Sequence, residues 1–447
     1  MSELTWDATL FRTAGFYVVH LISCALHGGS ARNLPDGITW AHVHEIAVMN
    51  GVEGAVWVGA RQLSDIPTVL RKRWSEQASM IFLRRLRFDA EREEVLAAMR
   101  EQGLSYLPLK GIVIAEYYPC PEMRLMADND ILYGLVEKSP QGGFRIKGDS
   151  QVAREASVRK VLFVMRDIME KRGYRTESFE KGNHDSFHKE PCFNFEMHRR
   201  LVPASSPYAS YYENPWLRAV CNTESSCSSV DGDVKSCLEF HFADEDEYLY
   251  FLVHGFKHFD ACGCGIRFLV DQQVFLRAKG EALDWNYVRT ELRTLGLESF
   301  ERHTRVLSET AFGKKDALGS GQFAPDQEKV APDREQFTPD QIQFTPDQEK
   351  LLFYFLESGT YGNLRIRVEK KITKNLIESK GDLKAAKRRY LLSRVFLKED
   401  AMQEAFPIFY RLPILRPFLP MFRVCRGLVR NPSRIRQELR VLRRVRK

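Results

Sequence analysis

Leu104-Ser-Tyr-Leu-Pro-Leu-Lys-Gly-Ile-Val-Ile-Ala-Glu-Tyr-Tyr-Pro-Cys-Pro-Glu-Met-Arg-Leu-Met-Ala-Asp-Asn-Asp-Ile-Leu-Tyr133 is the stretch on which the fold turns. It opens as a short apolar strand over 105–109 and breaks at Lys110-Gly111. A helical run over 111–118 follows, stopped by Pro119 and Pro121, and the chain returns as a strand over 128–133 carrying Asp128 and Asp130. Positions i and i+2 of a strand project from one face. Two carboxylates placed so repel each other unless a cation lies between them, and a divalent ion with bound phosphates is the usual partner. The Lys-Gly turn agrees with that picture, since glycine lets the backbone approach a ligand and the N–H groups opening a helix point at an anion. By spacing alone, Asp-x-Asp is more often a solvated turn or strand edge.

A second acidic strand lies downstream, at Cys192-Phe-Asn-Phe-Glu-Met-His198. Phe193, Phe195 and Met197 share one face, while Asn194, Glu196 and His198 share the other. Such a strand can supply a third carboxylate, Glu196, although an amphipathic strand wetted on its polar face has the same pattern.

These residues carry a resemblance. Leu109-Lys110-Gly111, Tyr118-Pro119, Arg124, Asp128-x-Asp130 and Glu196-x-His198-Arg199 are similar to the uncharacterised bacterial nucleotidyltransferase family of the polymerase-beta-like superfamily. The resemblance extends to the N-terminal helices and to Tyr248–Asp271. It implies a triphosphate held at Lys110 and Gly111, with Arg124 as compensating cation. It also implies two divalent ions, Mg2+ or Mn2+, on Asp128, Asp130 and Glu196. Asn129 stands where the family usually has an apolar residue, and the link from Glu137 to Ser157 is longer than usual.

At 447 residues, 44% hydrophobic and 28% charged, the chain has the composition of a soluble globular protein with two or three domains. The apolar run Ala14–Leu26 contains His20 and reads as too short to span a bilayer. Glu3 and Asp7 replace the basic start of a secretory signal, and nine scattered cysteines suggest reduced thiols, so a cytoplasmic location is expected. The net charge of +7 conceals an asymmetry. Residues 410–447 hold twelve Lys or Arg against one acid, Glu438, which leaves −4 for the rest (+7 less +11).

Taken in order, 1–103 reads as helical, with a long helix over 75–102 ending at Gly103. Residues 104–203 read as the α/β catalytic unit, its last helix over 157–172, and 204–312 as helical again. There His254 and His258 share a helical face ahead of Cys262 and Cys264; the spacing matches zinc poorly. The resemblance instead implies a polar cluster, or a wall of the cleft, from His254, His258, Arg267 and Asp271. Over 313–349 a seven-residue repeat recurs at Phe323, Val330, Phe337 and Phe344, with proline in every copy (325, 332, 339, 346), which excludes a coiled coil. Only the last copy reads as a helix start, with Thr345 as N-cap and Pro346 in the first position. The upstream copies read as duplicates of that cap in a solvent-exposed, dispensable loop. Residues 350–447 read as helical with a basic tail separable from the fold, suited to weak contact with RNA or an anionic membrane.

The expectation is therefore an α+β protein, a small mixed-sheet nucleotidyltransferase unit between helical regions. It would move a nucleoside monophosphate from an NTP to an acceptor hydroxyl on a small molecule or sugar, a protein or a tRNA. The rival is a non-catalytic scaffold of the same fold, binding an acidic partner through its tail.

Overall fold

The computed structural model describes residues 6–222, 238–313, 335–360, 362–397, 399, 402 and 405–445. They fall into two compact units, Met1–Gly255 with Gly265–Leu356, and Phe256–Cys264 with Glu357–Lys447.

Unit 1 begins with α1 (Ala8–His27), α2 (Trp40–Asn50), α3 (Glu53–Ala60) and α4 (Thr68–Glu101). The Asp7 carboxylate accepts from the Leu10 N–H to start α1, and Gly28, at φ 67°, ends it in the left-handed conformation. At 20 residues α1 is long and apolar enough to cross a membrane by length and composition alone. Its apolar faces are used within unit 1 instead: Phe16, Tyr17, Val18, Val19, Leu21 and Ile22 are all buried. Gly59 of α3 makes this possible, because a Cβ there would sit 2.0 Å from the Leu21 carbonyl oxygen.

The chain then enters a five-stranded mixed sheet in the order β1 (Ser105–Pro108), β2 (Asn129–Gly134), β7 (Phe193–His198), β6 (His184–Lys189), β5 (Arg175–Ser178). β2 and β7 are parallel neighbours; the other pairs are antiparallel. Between β1 and β2 lies the four-residue α5 (Gly111–Ile114), continued by a 3-10 turn over Ala115–Tyr117. The predicted helix over 111–118 is thus one α turn followed by one 3-10 turn. A small hairpin, β3 (Val136–Lys138) and β4 (Phe144–Ile146), precedes α6 (Gln151–Lys171). One sheet face packs on α4 and α6, where Phe88, Val95, Met99, Met165 and Met169 meet Ile131, Tyr133, Phe195 and Met197. Burying these side chains is worth roughly 1.5–3 kcal/mol each before chain entropy is counted.

The sequence reading did not include β5 and β6. Only Phe187 in His184–Lys189 is an apolar core residue, so the run lacks the alternation of a strand. Asp185 is the hidden inward residue, buried because Arg199 Nε donates to it at 3.0 Å and the Glu180 N–H at 2.7 Å.

After the short pair β8 (Ala219–Cys221) and β9 (Phe240–Phe242) comes α7 (Asp244–Ala261), which belongs to unit 1 as far as Gly255, and unit 1 continues as α8 (Arg267–Lys279), α9 (Trp285–Leu295) and α10 (Glu298–Phe312). Cys221 is disulfide-bonded, a departure from the expected reduced thiols. Unit 1 closes on α11 (Pro346–Ser358). Thr345 caps α11 as expected: its Oγ1 accepts from the Gln348 N–H at 3.3 Å, and the Thr345 N–H donates to Gln348 Oε1 at 2.8 Å. Phe344 stacks on Phe16 of α1.

The third repeat copy is not a loose duplicate. Phe337 is buried, stacked on His20 and tilted against Tyr17, both of α1. Its N–H donates to the Asn33 carbonyl and the Asn33 N–H to Glu335, each at 3.1 Å. The phenyl ring and paired backbone seat this copy in the core, so the exposed-loop expectation fails there. Phe323 and Val330 lie outside the described residues.

Unit 2 holds α12 (Leu364–Glu378) and α13 (Leu383–Val395), followed by helices over Leu419–Arg430 and Pro432–Arg444. Its core joins Val368, Ile372, Ala386 and Tyr390 to Leu442. Glu438 takes a hydrogen bond from Tyr390 and pairs with Arg394 Nε at 2.8 Å. The last basic helix is therefore a structural part of unit 2, not a removable tail.

Candidate metal centre

The polar face of the sheet collects the acids. Parallel pairing sets Asp130 of β2 directly beside Glu196 of β7, and Asp128, just ahead of β2, falls on the same side. One carboxylate oxygen from each of Asp128, Asp130 and Glu196 lies within 4.8 Å of the others. Asn129 points the opposite way into the core, where Arg92 Nη1 donates to its Oδ1 at 3.3 Å and its Nδ2 has no partner among the described residues.

The three predicted acids are thus brought together, and both predicted cations have carboxylate partners. Lys110 Nζ lies 2.5 Å from Asp130 Oδ1 and 3.9 Å from Glu196 Oε2, among the acids. The turn is strained to place it: Lys110 has φ 54° and ψ −116°, a conformation glycine favours. Arg124 is buried and bidentate to Asp271 of α8, at 2.8 and 3.0 Å, while the Tyr118 hydroxyl donates to the same carboxylate at 2.7 Å. Its charge is spent on Asp271. Gly111 is small for the sake of that arginine, because a Cβ there would meet Arg124 Nη1 at 3.0 Å.

Asp271 is accordingly in a polar cluster with Tyr118 and Arg124. His254 and His258 follow one another by a turn of α7, the first half-buried and the second exposed. Among the described residues neither they nor Cys262 and Cys264 join a group able to hold an ion; the two such groups are Asp128–Asp130–Glu196 and His184–Glu196–His198.

The two histidines complete the site. His198 Nε2–H donates to Asp130 Oδ1 at 2.8 Å, and its Nδ1 accepts from Asn183 Nδ2 at 3.2 Å, which sets the tautomer. His184, opposite His198 on β6, lies 3.7 Å from Glu196 Oε1, and its buried Nδ1 has no partner among the described residues. The sequence marks His198 only through the polar face it shares with Glu196, and does not mark His184. The alternation of His184, Ser186 and His188 was the available signal.

Electrostatics follow from this crowding. Burial, reinforced by Asp130 and Glu196, pushes the Asp128 carboxyl up to about 7. Burial also works against ionising Asp130, but the Lys110 ammonium and the His198 hydrogen bond outweigh it and hold Asp130 well below the usual range. Burial lowers His184, so it is neutral near pH 7. One ammonium cannot neutralise three acids, and oxygen donors of this kind suit a hard divalent cation. The residues fit Mg2+ or Mn2+.

Fold and cluster define a class: an α+β protein whose small mixed sheet presents three converging carboxylates beside a lysine-bearing strand–turn–helix. The chain matches the family described as uncharacterised nucleotidyltransferase over residues 36–137 and 158–313, more than half its length, and it belongs to that family. The unmatched stretch between them coincides with the long link noted above. No curated protein and no solved structure matches the chain.

Proposed function

We propose that this protein is a metal-dependent nucleotidyltransferase, moving a nucleoside monophosphate from an NTP to an acceptor hydroxyl. The convergence of Asp128, Asp130 and Glu196 on neighbouring parallel strands carries this reading. These three residues would hold Mg2+ or Mn2+, which supplies charge neutralisation for the triphosphate and for the pyrophosphate that leaves. Lys110, beside the acids, would supply a cation for the triphosphate. Glu196, with a side chain 24% exposed against 4% for Asp130, can accept the proton of the attacking hydroxyl. The acceptor oxygen then bonds to the α-phosphorus as the bond to pyrophosphate breaks. Arg124 supports the turn through Asp271 and does not touch the nucleotide.

One observation favours the rival reading, a scaffold without turnover: Lys110 already serves Asp130 as an internal counter-ion. Incubating the pure protein with each α-labelled triphosphate, Mg2+ and cell extract separates the two. Label on a small molecule, a protein or a tRNA, lost in Asp128→Asn and Asp130→Asn, supports transfer and names the acceptor. Absence of label, with no Mg2+-dependent protection by any triphosphate in a melting assay, favours the scaffold.

A further inference from the structure

The helix over Leu419–Arg430 leaves its apolar stripe open. Leu419, Arg423, Arg426 and Arg430 share one face by their spacing of three and four. Leu419 is buried, Arg423 Nη1 donates to the Val395 carbonyl at 2.7 Å, and the Arg423 and Arg426 guanidiniums lie 6.0 and 5.7 Å from the centre of the Phe406 ring. Leu419 and Arg423 of that face turn into unit 2, while Arg426 and Arg430 are exposed. The opposite face carries Met421, Val424, Cys425, Leu428 and Val429, and it is open: Met421 is 64% exposed, Leu428 54% and Val429 82%. A helix on a globular protein normally buries such a stripe.

The exposure continues N-terminally through Ile408, Leu412, Ile414 and Phe418, the third of these 80% exposed. Scattered apolar side chains need no account, but a run of this density marks an interaction site. The charge around it indicates the partner. In the next helix Arg436, Arg440, Arg443 and Arg444 recur at i, i+4, i+7 and i+8 and are exposed, opposite the buried Leu442. The single acid of the segment, Glu438, is consumed by Tyr390 and Arg394.

We propose that the segment from Ile408 to Arg444 is a docking surface for an anionic lipid bilayer. Met421, Leu428 and Val429 enter the boundary between headgroups and acyl chains, and the arginines engage lipid phosphates. A second copy of the chain would bring the same +11 against itself. An RNA would use the arginines and leave the aliphatic stripe in water.

Flotation of the full-length protein with phosphatidylcholine vesicles, with and without phosphatidylglycerol, tests this. Binding is expected only to the anionic vesicles, and it should fall with added salt. Met421→Ser/Val429→Ser, exposed positions whose replacement spares the core, should bind about tenfold more weakly or worse, with unchanged circular dichroism. Arg440→Gln/Arg443→Gln should weaken binding and flatten its salt dependence. Anionic-vesicle binding that survives the apolar double substitution overturns the proposal. So does a wild type that ignores vesicles while binding an RNA oligonucleotide, or one whose dimer is lost in the apolar variant.

Discussion

At the scale of single residues, the site is a contest between burial and charge, and two outcomes follow. His198 Nε2 donates to the same Asp130 oxygen that Lys110 holds, so its removal should loosen a proposed metal ligand without removing it. Outer-shell partners of this kind are worth about 10–100-fold in metal affinity. His198→Phe keeps the ring volume, and Asn183 retains the Arg200 and Leu201 carbonyls as acceptors. The expected result is an apparent Mg2+ constant raised within that range at saturating NTP, and an unchanged constant would show that the hydrogen bond is incidental. Asp128 gives the second outcome. Its folded value of about 7 lies above that of an ordinary carboxyl, so the folded protein without metal keeps a proton the unfolded chain has released. The stability contributed by that proton is present at low pH and lost as pH rises through 7. Between about pH 5 and 8, the metal-free wild type should therefore lose stability relative to Asp128→Asn. Mg2+ with NTP should stabilise the wild type more as pH rises, because the ion needs the ionised carboxylate. Melting series at several pH values check both signs.

Among elements, the repeat segment behaves unlike a loop. Phe337 fills a slot on α1 beside His20, whose ring accepts the Arg32 N–H at 3.0 Å and is driven by burial down to about 4. The slot therefore stays neutral and apolar above that value. Phe337→Ala should cost about 3–5 kcal/mol, the usual range for a buried phenyl. Gln343→Ala, exposed six residues on, should be neutral. Deleting 322–343 should be at least as damaging as Phe337→Ala, since it removes the ring and the backbone pairing to Asn33 together. Chemical denaturation of the three variants measures the difference. Equal stability of all three would return the third copy to the status of a free loop.

For the whole molecule, two units with separate cores predict two thermal transitions. Mg2+ with NTP should raise only the transition of unit 1, by about 2.7 kcal/mol at a hundredfold excess over Kd. Deleting residues 431–447 removes Leu442 from the core of unit 2 and Glu438 from Tyr390 and Arg394. That deletion should abolish the unit 2 transition and leave the liganded shift of unit 1 in place. Differential scanning calorimetry reads both, and a single transition lost as a whole would show that the units do not unfold separately.

Much of this was legible in local pattern. Strand alternation puts Asp128 with Asp130 and Glu196 with His198, and capping chemistry starts α11 at Thr345, because both depend on neighbours within a few residues. The Phe193–Met197 core face and the inward Asn129 follow from the same period of two. What only tertiary structure decided are the partners across long separations. The parallel pairing of β2 with β7 sets Asp130 beside Glu196, while Asp271 pairs with Arg124 and Asp130 with Lys110. Strand β6 was hidden because its inward residue is an acid neutralised by Arg199, so no apolar alternation announced it. Phe337 stands at the repeat's apolar position and Leu442 at helical spacing from Ile435 and Leu439, but neither pattern says which surface receives it. A side chain's burial depends on which distant surface has a vacancy of its shape, and periodicity does not encode that.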